Sequence, residues 1–239
     1  AGLPMEPDDF YPAKDPGDPY AAYDMSRLIS FLGRVRLATA PGSAYSYSNI
    51  GVGIAGIALA HAGHTSYEQM VISRICAPLG MLDTVTTLSK EQASRLAQGY
   101  EVEERGSGRP ARPVPVFNFA ECYHGCGSLR STGNDMARFL LANLDEESSP
   151  LGPALALSHK PLFKVDDALS IAMGWHVVRL EGPPGPLVLH PGRVAGYYSY
   201  IGFCKETHSG VVVLASGADR VDEMAASILW DISKMGTAD

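Results

Sequence analysis

Residues 1–19 carry no periodic pattern. Prolines at 4, 7, 12, 16 and 19 interrupt every run, and the stretch reads as irregular chain. A helical period sets in over residues 23–38, with Met25, Leu28, Ile29 and Leu32 on one stripe and Pro41-Gly42 as its stop. A second helix is predicted from Ser48 to Ala62, closing at Gly63. It holds Gly51, Gly53 and Gly56, each costing about 1 kcal/mol against alanine in an exposed helix. That predicts a buried helix with another backbone packed very close to it. Thr65-Ser66-Tyr67-Glu68 has the S/T-x-x-E form of a capping box. The helix behind it turns Tyr67, Met70, Val71 and Ile75 inward and ends at Pro78. Ser89 to Ala97 predicts a short polar helix, and residues 105–117, RGSGRPARPVPVF, a loop. Thr132 with Asp135 opens a further helix, in which Met136, Phe139, Leu140 and Leu144 share a face. DEESSPLGP then breaks it.

After Leu169 the pattern changes to short apolar runs: IAMGWHVVRLE, PLVLH, YYSYIGFC and GVVVLAS read as strands. Their links, GPPG, PGRVAG and KETHS, suit antiparallel connections. The chain closes on a helical stripe of Val221, Met224, Ala225, Ile228, Leu229 and Ile232, which needs an apolar partner, and the sheet is the obvious one. The expected fold class is therefore α+β: a mainly helical region over 20–168, then antiparallel strands and a covering helix over 169–239. A sheet of three or four strands with one helix on it leaves an open face and open edges. This suggests missing cover, most simply sequence preceding Ala1.

Composition narrows the function. With 239 residues the chain can bury a real core. A net charge of −7 without a basic stripe argues against nucleic acid. No apolar run approaches the roughly 18 residues of a membrane span. Cys76, Cys122, Cys126 and Cys204 form no C-x-x-C pair. ECYHGC would need a further ligand to hold a metal, so buried thiols or one disulfide are expected, with no metal and no cofactor.

Three stretches resemble the class C β-lactamase and penicillin-binding-protein-like serine hydrolases. PGSAYSYSNIGVGIAGIALAHAGHTSYEQMVISRICAPLGMLDT is similar to that family's Pro-Gly, Tyr-Ser-Asn, glycine-bearing helix and Pro-Leu-Gly-Met-x-Asp-Thr. GCGSLRSTGNDMARFLLANL resembles its Gly-Leu-x-Ser-Thr-x-x-Asp-Met-x-Arg-Phe, and LHPGRVAGYYSYIGF its His-x-Gly strand and the strand after it. Even AGLP at the start looks like a family segment that lies well inside a complete member. His-x-Gly occurs three times, at His61, His190 and His208; only His190 closes a strand just before RVAGYYSY, the context the family requires.

The resemblance implies a β-lactamase/transpeptidase-like fold and acyl transfer through a serine that opens a Ser-x-x-Lys motif. It makes Tyr47 the general acid or base, with Asn49 orienting the lysine and a substrate amide. Tyrosine is a poor base at its ordinary pKa near 10 and needs a cation beside it. His190 would line the site, Gly192 would let substrate backbone approach, and the N–H of Arg193 would face the oxyanion. Arg193 departs from the small residue common there, and Pro191 removes one N–H. No serine in the chain has a lysine three residues on. The expected function is thus the larger part of a serine hydrolase acting on an ester, β-lactam or D-amino-acid peptide. An absent N-terminal segment would be its partner, and the chain alone would be inactive. A periplasmic or secreted setting follows from the resemblance alone, with a cytoplasmic one left open.

The residues leave other readings standing. Tyr47 could be a core tyrosine beside a helix cap at Ser48 or Asn49. His190 could be a structural strand histidine, and the whole chain a catalytically inactive fragment or binding module of the same fold. His176, Trp175 and Asp135 are read as structural.

Overall fold

The computed structural model describes residues 2–101, 110–217 and 221–235; positions 105–109 of the expected loop and 219–220 ahead of the last helix lie outside them. The chain divides into two compact units. One holds the chain up to Arg74 with Val85–Arg95 and Pro115–Arg130; the other holds Ile75–Thr84, Leu96–Val114 and everything from Ser131.

The first unit is built on aromatic packing. Its opening segment is irregular, as its prolines predict, yet Phe10 and Tyr23 are fully buried. They join Leu28, Phe31, Ile50 and Tyr123 in one core. Phe10 meets the rings of Tyr20, Tyr23 and Tyr123 with centroids 5.1, 5.6 and 5.7 Å away. Helix α1 runs only from Met25 to Arg34, capped by the Asp24 carboxylate on Arg27 N. The expected stripe is rotated: Leu28 and Phe31 face the core, whereas Ile29 and Leu32 are exposed. The aromatic core selects the i, i+3 pair, and so short a helix can present only one narrow face.

Helix α2, Asn49–Ala62, is capped by the Ser48 side chain and closes at Gly63, as predicted. The left-handed residue that follows is His64, at φ 51°. Its glycines answer to close approach. A Cβ on Gly53 would run into the carbonyl of Cys122, and one on Gly56 would lie 3.2 Å from Cα of Gly125. The partner is a 3-10 turn, Glu121–Tyr123, followed by α6, His124–Gly127, in spatial terms the lid on α2's buried face. The helical stretch that follows α2 in the chain, α3, Tyr67–Val71, continues as a π-helical turn over Ile72–Cys76 and a short α4, Ala77–Leu79, with left-handed Gly80 at its end. Its cap is Ser66, not Thr65: the Ser66 hydroxyl accepts from Gln69 N. Glu68 is used elsewhere, accepting from Thr86 N and Thr87 N at 2.6 and 2.8 Å. Short polar α5 spans Lys90–Arg95.

The second unit is a six-stranded antiparallel sheet with helices. Strands β3, Phe163–Lys164, β4, Leu169–Ile171, β5, His176–Val178, β6, Leu187–Val194, β7, Tyr197–Cys204, and β8, Ser209–Ala215, pair in sequence order. The expected single run IAMGWHVVRLE is two strands, because Gly174 turns the chain at φ 78°. A two-stranded hairpin, β1, Tyr100–Glu101, with β2, Arg112–Pro113, replaces part of the expected loop. Tyr197 Oη donates to Ala97 O at 2.6 Å beside it.

Alternation sorts the sheet's residues onto two faces. Val177, Val188, Ile201 and Phe203 pack with Met136, Phe139, Leu140 and Leu144 of α7, Gly133–Leu144, the face foreseen for that helix. A further short helix, α8, Gly152–Ser158, follows it. Leu187, Tyr200 and Cys204 on the other face meet Ala225 and Leu229 of α9, Asp222–Met235. Ala225, Leu229 and Ser233 are fully buried there, while Met224 and Ile228 from the expected stripe are exposed. Burying Leu229 alone contributes about 1.5–3 kcal/mol. Asp135 takes the structural role expected of it: buried in α7, it accepts from Asp83 N and Thr84 Oγ1, both at 2.8 Å.

Candidate active site

The candidate residues fall on two elements: Tyr47 and Asn49 at the start of α2 in the first unit, and His190, Gly192 and Arg193 along β6 in the second.

At α2, chain from the opening segment wraps the helix N-terminus. Ser48 Oγ donates to Pro4 O at 2.6 Å and accepts from Gly51 N at 2.9 Å. Met5 O accepts from the backbone N–H groups of Asn49 and Ile50 at 3.0 and 3.3 Å. The orphan donors of the first turn are thereby satisfied. The Asn49 side chain points to Glu6, Nδ2 donating to Oε1 at 2.7 Å. Glu6 also receives Tyr20 Oη at 2.9 Å on Oε1 and Tyr123 Oη at 2.6 Å on Oε2. One carboxylate thus gathers an amide and two phenols. Burial first, then Glu6, raises the pKa of both tyrosines, so each stays a donor.

Tyr47 is not a core tyrosine: it is 45% exposed. Partial desolvation raises its phenol's pKa, and the electrostatics of Cys126, Tyr45 and Glu6 push the same way. Every named influence favours the protonated phenol. Burial likewise pushes the Cys126 thiol up to about 12. Glu6 escaped the sequence reading. A carboxylate in an aperiodic stretch has no pattern to mark it, and only its position after the AGLP motif could have drawn attention to it.

On β6, His190 is not at a strand end as expected. The strand continues through Pro191, Gly192 and Arg193 to Val194, paired throughout with β7. On its other side β5 pairs only as far as Leu189. Among the described residues no strand registers against that edge from 190 to 194. Proline explains the register: it cannot donate to a ladder and belongs where its nitrogen faces an open edge. Pro191 stands opposite Tyr200, and antiparallel pairs alternate between bonded and non-bonded. The alternation therefore turns the backbone N–H of Arg193, two residues on, to the same open edge. Gly192 stands opposite Ser199, and a Cβ there would run into Ser199 Oγ. The Arg193 guanidinium lies over the Tyr198 ring, 5.5 Å from its centroid. Burial lowers the pKa of His190, with a backbone hydrogen bond at Pro191 opposing, and its ring stacks on His176.

The chain has relatives among known proteins. A family model described as Beta-lactamase matches residues 1–232. A β-lactamase of Pseudomonas fluorescens is 25% identical, over 83% of this chain and 62% of its own length. The D-alanyl-D-alanine-carboxypeptidase/endopeptidase AmpH of Escherichia coli (strain K12) is 29% identical, over 83% of this chain and 52% of its own. The chain thus spans between half and two thirds of the length of these relatives. A solved class C β-lactamase superposes with a TM-score of 0.78 at 20% identity, covering 100% of this chain and 67% of that one. A β-lactamase/D-alanine carboxypeptidase from Pseudomonas syringae superposes with a TM-score of 0.74 at 20% identity, over 90% and 65%. The fold is that of class C β-lactamases, and the chain belongs to the Beta-lactamase family.

Proposed function

We propose that this chain is the larger part of a serine hydrolase that works through an acyl-enzyme on an ester, a β-lactam or a D-amino-acid peptide. A Ser-x-x-Lys segment from outside the chain would supply the nucleophile. The observation that carries the reading is the contrast at α2: Asn49 is held at 2.7 Å by Glu6, while Tyr47, two residues earlier, keeps its phenol at the surface. A structural tyrosine would be buried or capped. A proton-transfer group must be reachable and must await a cation that stabilises its phenolate. Beside a lysine ammonium the phenol would give up its proton more readily; in the chain alone its surroundings keep it protonated, and no acyl transfer is expected.

Two surfaces support an additional segment. Helix α2 is apolar on both sides, and Val52 and Leu59 on its outer side are exposed. Strand β8 ends the sheet with one edge unpaired among the described residues. In the reaction Tyr47 would move the proton between nucleophile and leaving group, Asn49 would orient the lysine and substrate amide, and the Arg193 N–H would stabilise the oxyanion. His190 and Gly192 would line and clear the strand beside the acyl group.

The test adds the upstream coding segment to the chain and incubates the product with a fluorescent penicillin or a fluorophosphonate. An adduct by intact mass that the chain alone does not form, and that slows strongly in Tyr47→Phe, supports the reading. Acylation indifferent to Tyr47, or no adduct with a Ser-x-x-Lys present, overturns it and leaves a binding module of the same fold.

A further inference from the structure

The Asn49 amide can sit in two flips that exchange its oxygen and its nitrogen, and its neighbours admit one of them. Both hydrogen bonds of this side chain among the described residues are made by Nδ2: to Glu6 Oε1 at 2.7 Å and, longer, to Tyr20 Oη at 3.5 Å. A carboxylate only accepts. Tyr20 Oη has already given its proton to the same Oε1, at 2.9 Å. The flipped amide would therefore set Oδ1 against two oxygens with no proton to offer. We infer that Glu6 is a positioning residue for the proposed reaction: its carboxylate holds Asn49 in the flip that keeps Nδ2 on Glu6 and leaves Oδ1 to accept from the ammonium of a lysine supplied from outside the chain. The inference rests on the role proposed for Asn49.

The chain around Glu6 holds that carboxylate in place. On one side of it, Met5 O accepts from Asn49 N and Ile50 N at 3.0 and 3.3 Å, and Pro4 O accepts from Ser48 Oγ at 2.6 Å. These bonds keep the two segments in register, with Glu6 facing Asn49. On the other side stands buried Pro7, which restricts the backbone of the residue before it. The second carboxylate oxygen receives Tyr123 Oη at 2.6 Å, so both oxygens are tethered. Burial of Tyr20 and Tyr123, reinforced by Glu6, raises the pKa of both phenols, and each stays a donor that keeps the carboxylate from turning. Tyr47 and Asn49 flank the Ser48 cap. The turn that leaves the Tyr47 phenol at the surface is thus the one that presents the Asn49 amide.

Two measurements test it. In the chain itself, the Asn49 Nδ2 protons, read from their side-chain amide resonances, should exchange with solvent about tenfold or more slowly than in Glu6→Ala. Equally fast exchange in the two proteins overturns the inference. In a longer protein that carries Ser-x-x-Lys, the acylation rate at saturating fluorescent penicillin is followed in Glu6→Ala, Asn49→Ala and the double variant. Glu6→Ala should slow acylation about tenfold or more, the cost of a misplaced group, with a smaller change in the half-saturating concentration. In the Asn49→Ala background the same change should cost less than about twofold, because Glu6 acts through Asn49. Glu6→Gln, whose amide oxygen can still take Nδ2, should recover part of the loss. Should Glu6→Ala fail to fold by circular dichroism, Glu6→Gln replaces it in both measurements, and a smaller loss confined to the background that keeps Asn49 is then the expected result. An equal loss in both backgrounds overturns this inference alone, since a merely structural Glu6 would slow both alike. No acylation in any form overturns the acyl-enzyme reading and this inference with it.

Discussion

Asn49 Nδ2 donates to Glu6 Oε1 at 2.7 Å, tying the first turn of α2 to a segment 43 residues away in sequence. Because Tyr20 and Tyr123 donate to the same carboxylate, its removal would leave three donors without their acceptor. Glu6→Ala should destabilise the chain by about 2–4 kcal/mol in urea unfolding, since an unmet buried donor costs about 1–3 kcal/mol and water will reach some of the site. Glu6→Gln should cost less, because one amide oxygen can still accept.

Gly53 and Gly33 should respond in opposite directions to the same substitution. Gly53→Ala drives a Cβ into the Cys122 carbonyl and should cost about 1–3 kcal/mol or more. Gly33 lies in α1 with open space around it, and Gly33→Ala should stabilise by about 0.5–1 kcal/mol. Equal effects in thermal unfolding would refute the close approach of α2 to the Glu121–Tyr123 turn.

Tyr47→Phe should change the stability of the chain by less than about 0.5 kcal/mol, as expected for a half-exposed phenol. In a longer protein that carries Ser-x-x-Lys, the same change should slow acylation about 100-fold or more, within the range of a lost proton-transfer group. A large stability loss would return Tyr47 to a structural role.

Acidification should weaken the fold first through histidines. Burial lowers the pKa of His159, His176 and His190 below their ordinary 6.5, so the folded chain binds fewer protons than the unfolded one just below that value. Stability is then present above 6.5 and is lost as pH falls toward the folded values. His159 is buried between Glu146, 2.6 Å from Nδ1, and Asn143, 2.7 Å from Nε2, with Lys205 bound to the same Glu146 oxygen. After burial, the Lys205 charge is the next influence that lowers it. His159→Gln should flatten the decline between about pH 6.5 and 5 in urea midpoints measured against pH. A second decline near pH 4 should remain, because Asp9 and Glu68 have lowered pKa values and lose their stabilising charge on protonation.

All four cysteines are free thiols. Cys76, Cys122 and Cys204 are buried, and burial pushes Cys122 and Cys126 up to about 12. Ellman's reagent should find no fast-reacting thiol in the native chain and four after denaturation. A disulfide, one of the two arrangements the spacing allowed, would instead leave two.

The elements most legible in sequence were those whose chemistry is local. Helix α2 starts and stops within a residue of its prediction, because Ser48 and Gly63 act on their own neighbours. Helix α7 was equally clear: the Thr132 hydroxyl accepts from Asp135 N, and the inward face is the predicted one. Faces that depend on a partner were misread. The stripes of α1 and α9 are rotated because their sequences offer apolar residues on two sides and the partner surface chooses between them. The continuation of β6 past His190 was hidden as well, since Pro191-Gly192 is ordinarily a turn. It remains a strand because β7 binds it along one edge while the other is open.

The sequence by itself determined the family motifs, the caps of α2 and α7, the need of the glycine helix for a close neighbour, and the absence of a Ser-x-x-Lys. Each is a property of residue type and short spacing. Only the tertiary structure decided that Glu6 gathers Asn49, Tyr20 and Tyr123, and that Tyr47 stays at the surface. It also decided that β6 runs on past His190 with one edge open among the described residues, and that His176 stacks on His190. Those relations join residues through a folded backbone, where burial and strand register, rather than spacing along the chain, decide which polar groups meet.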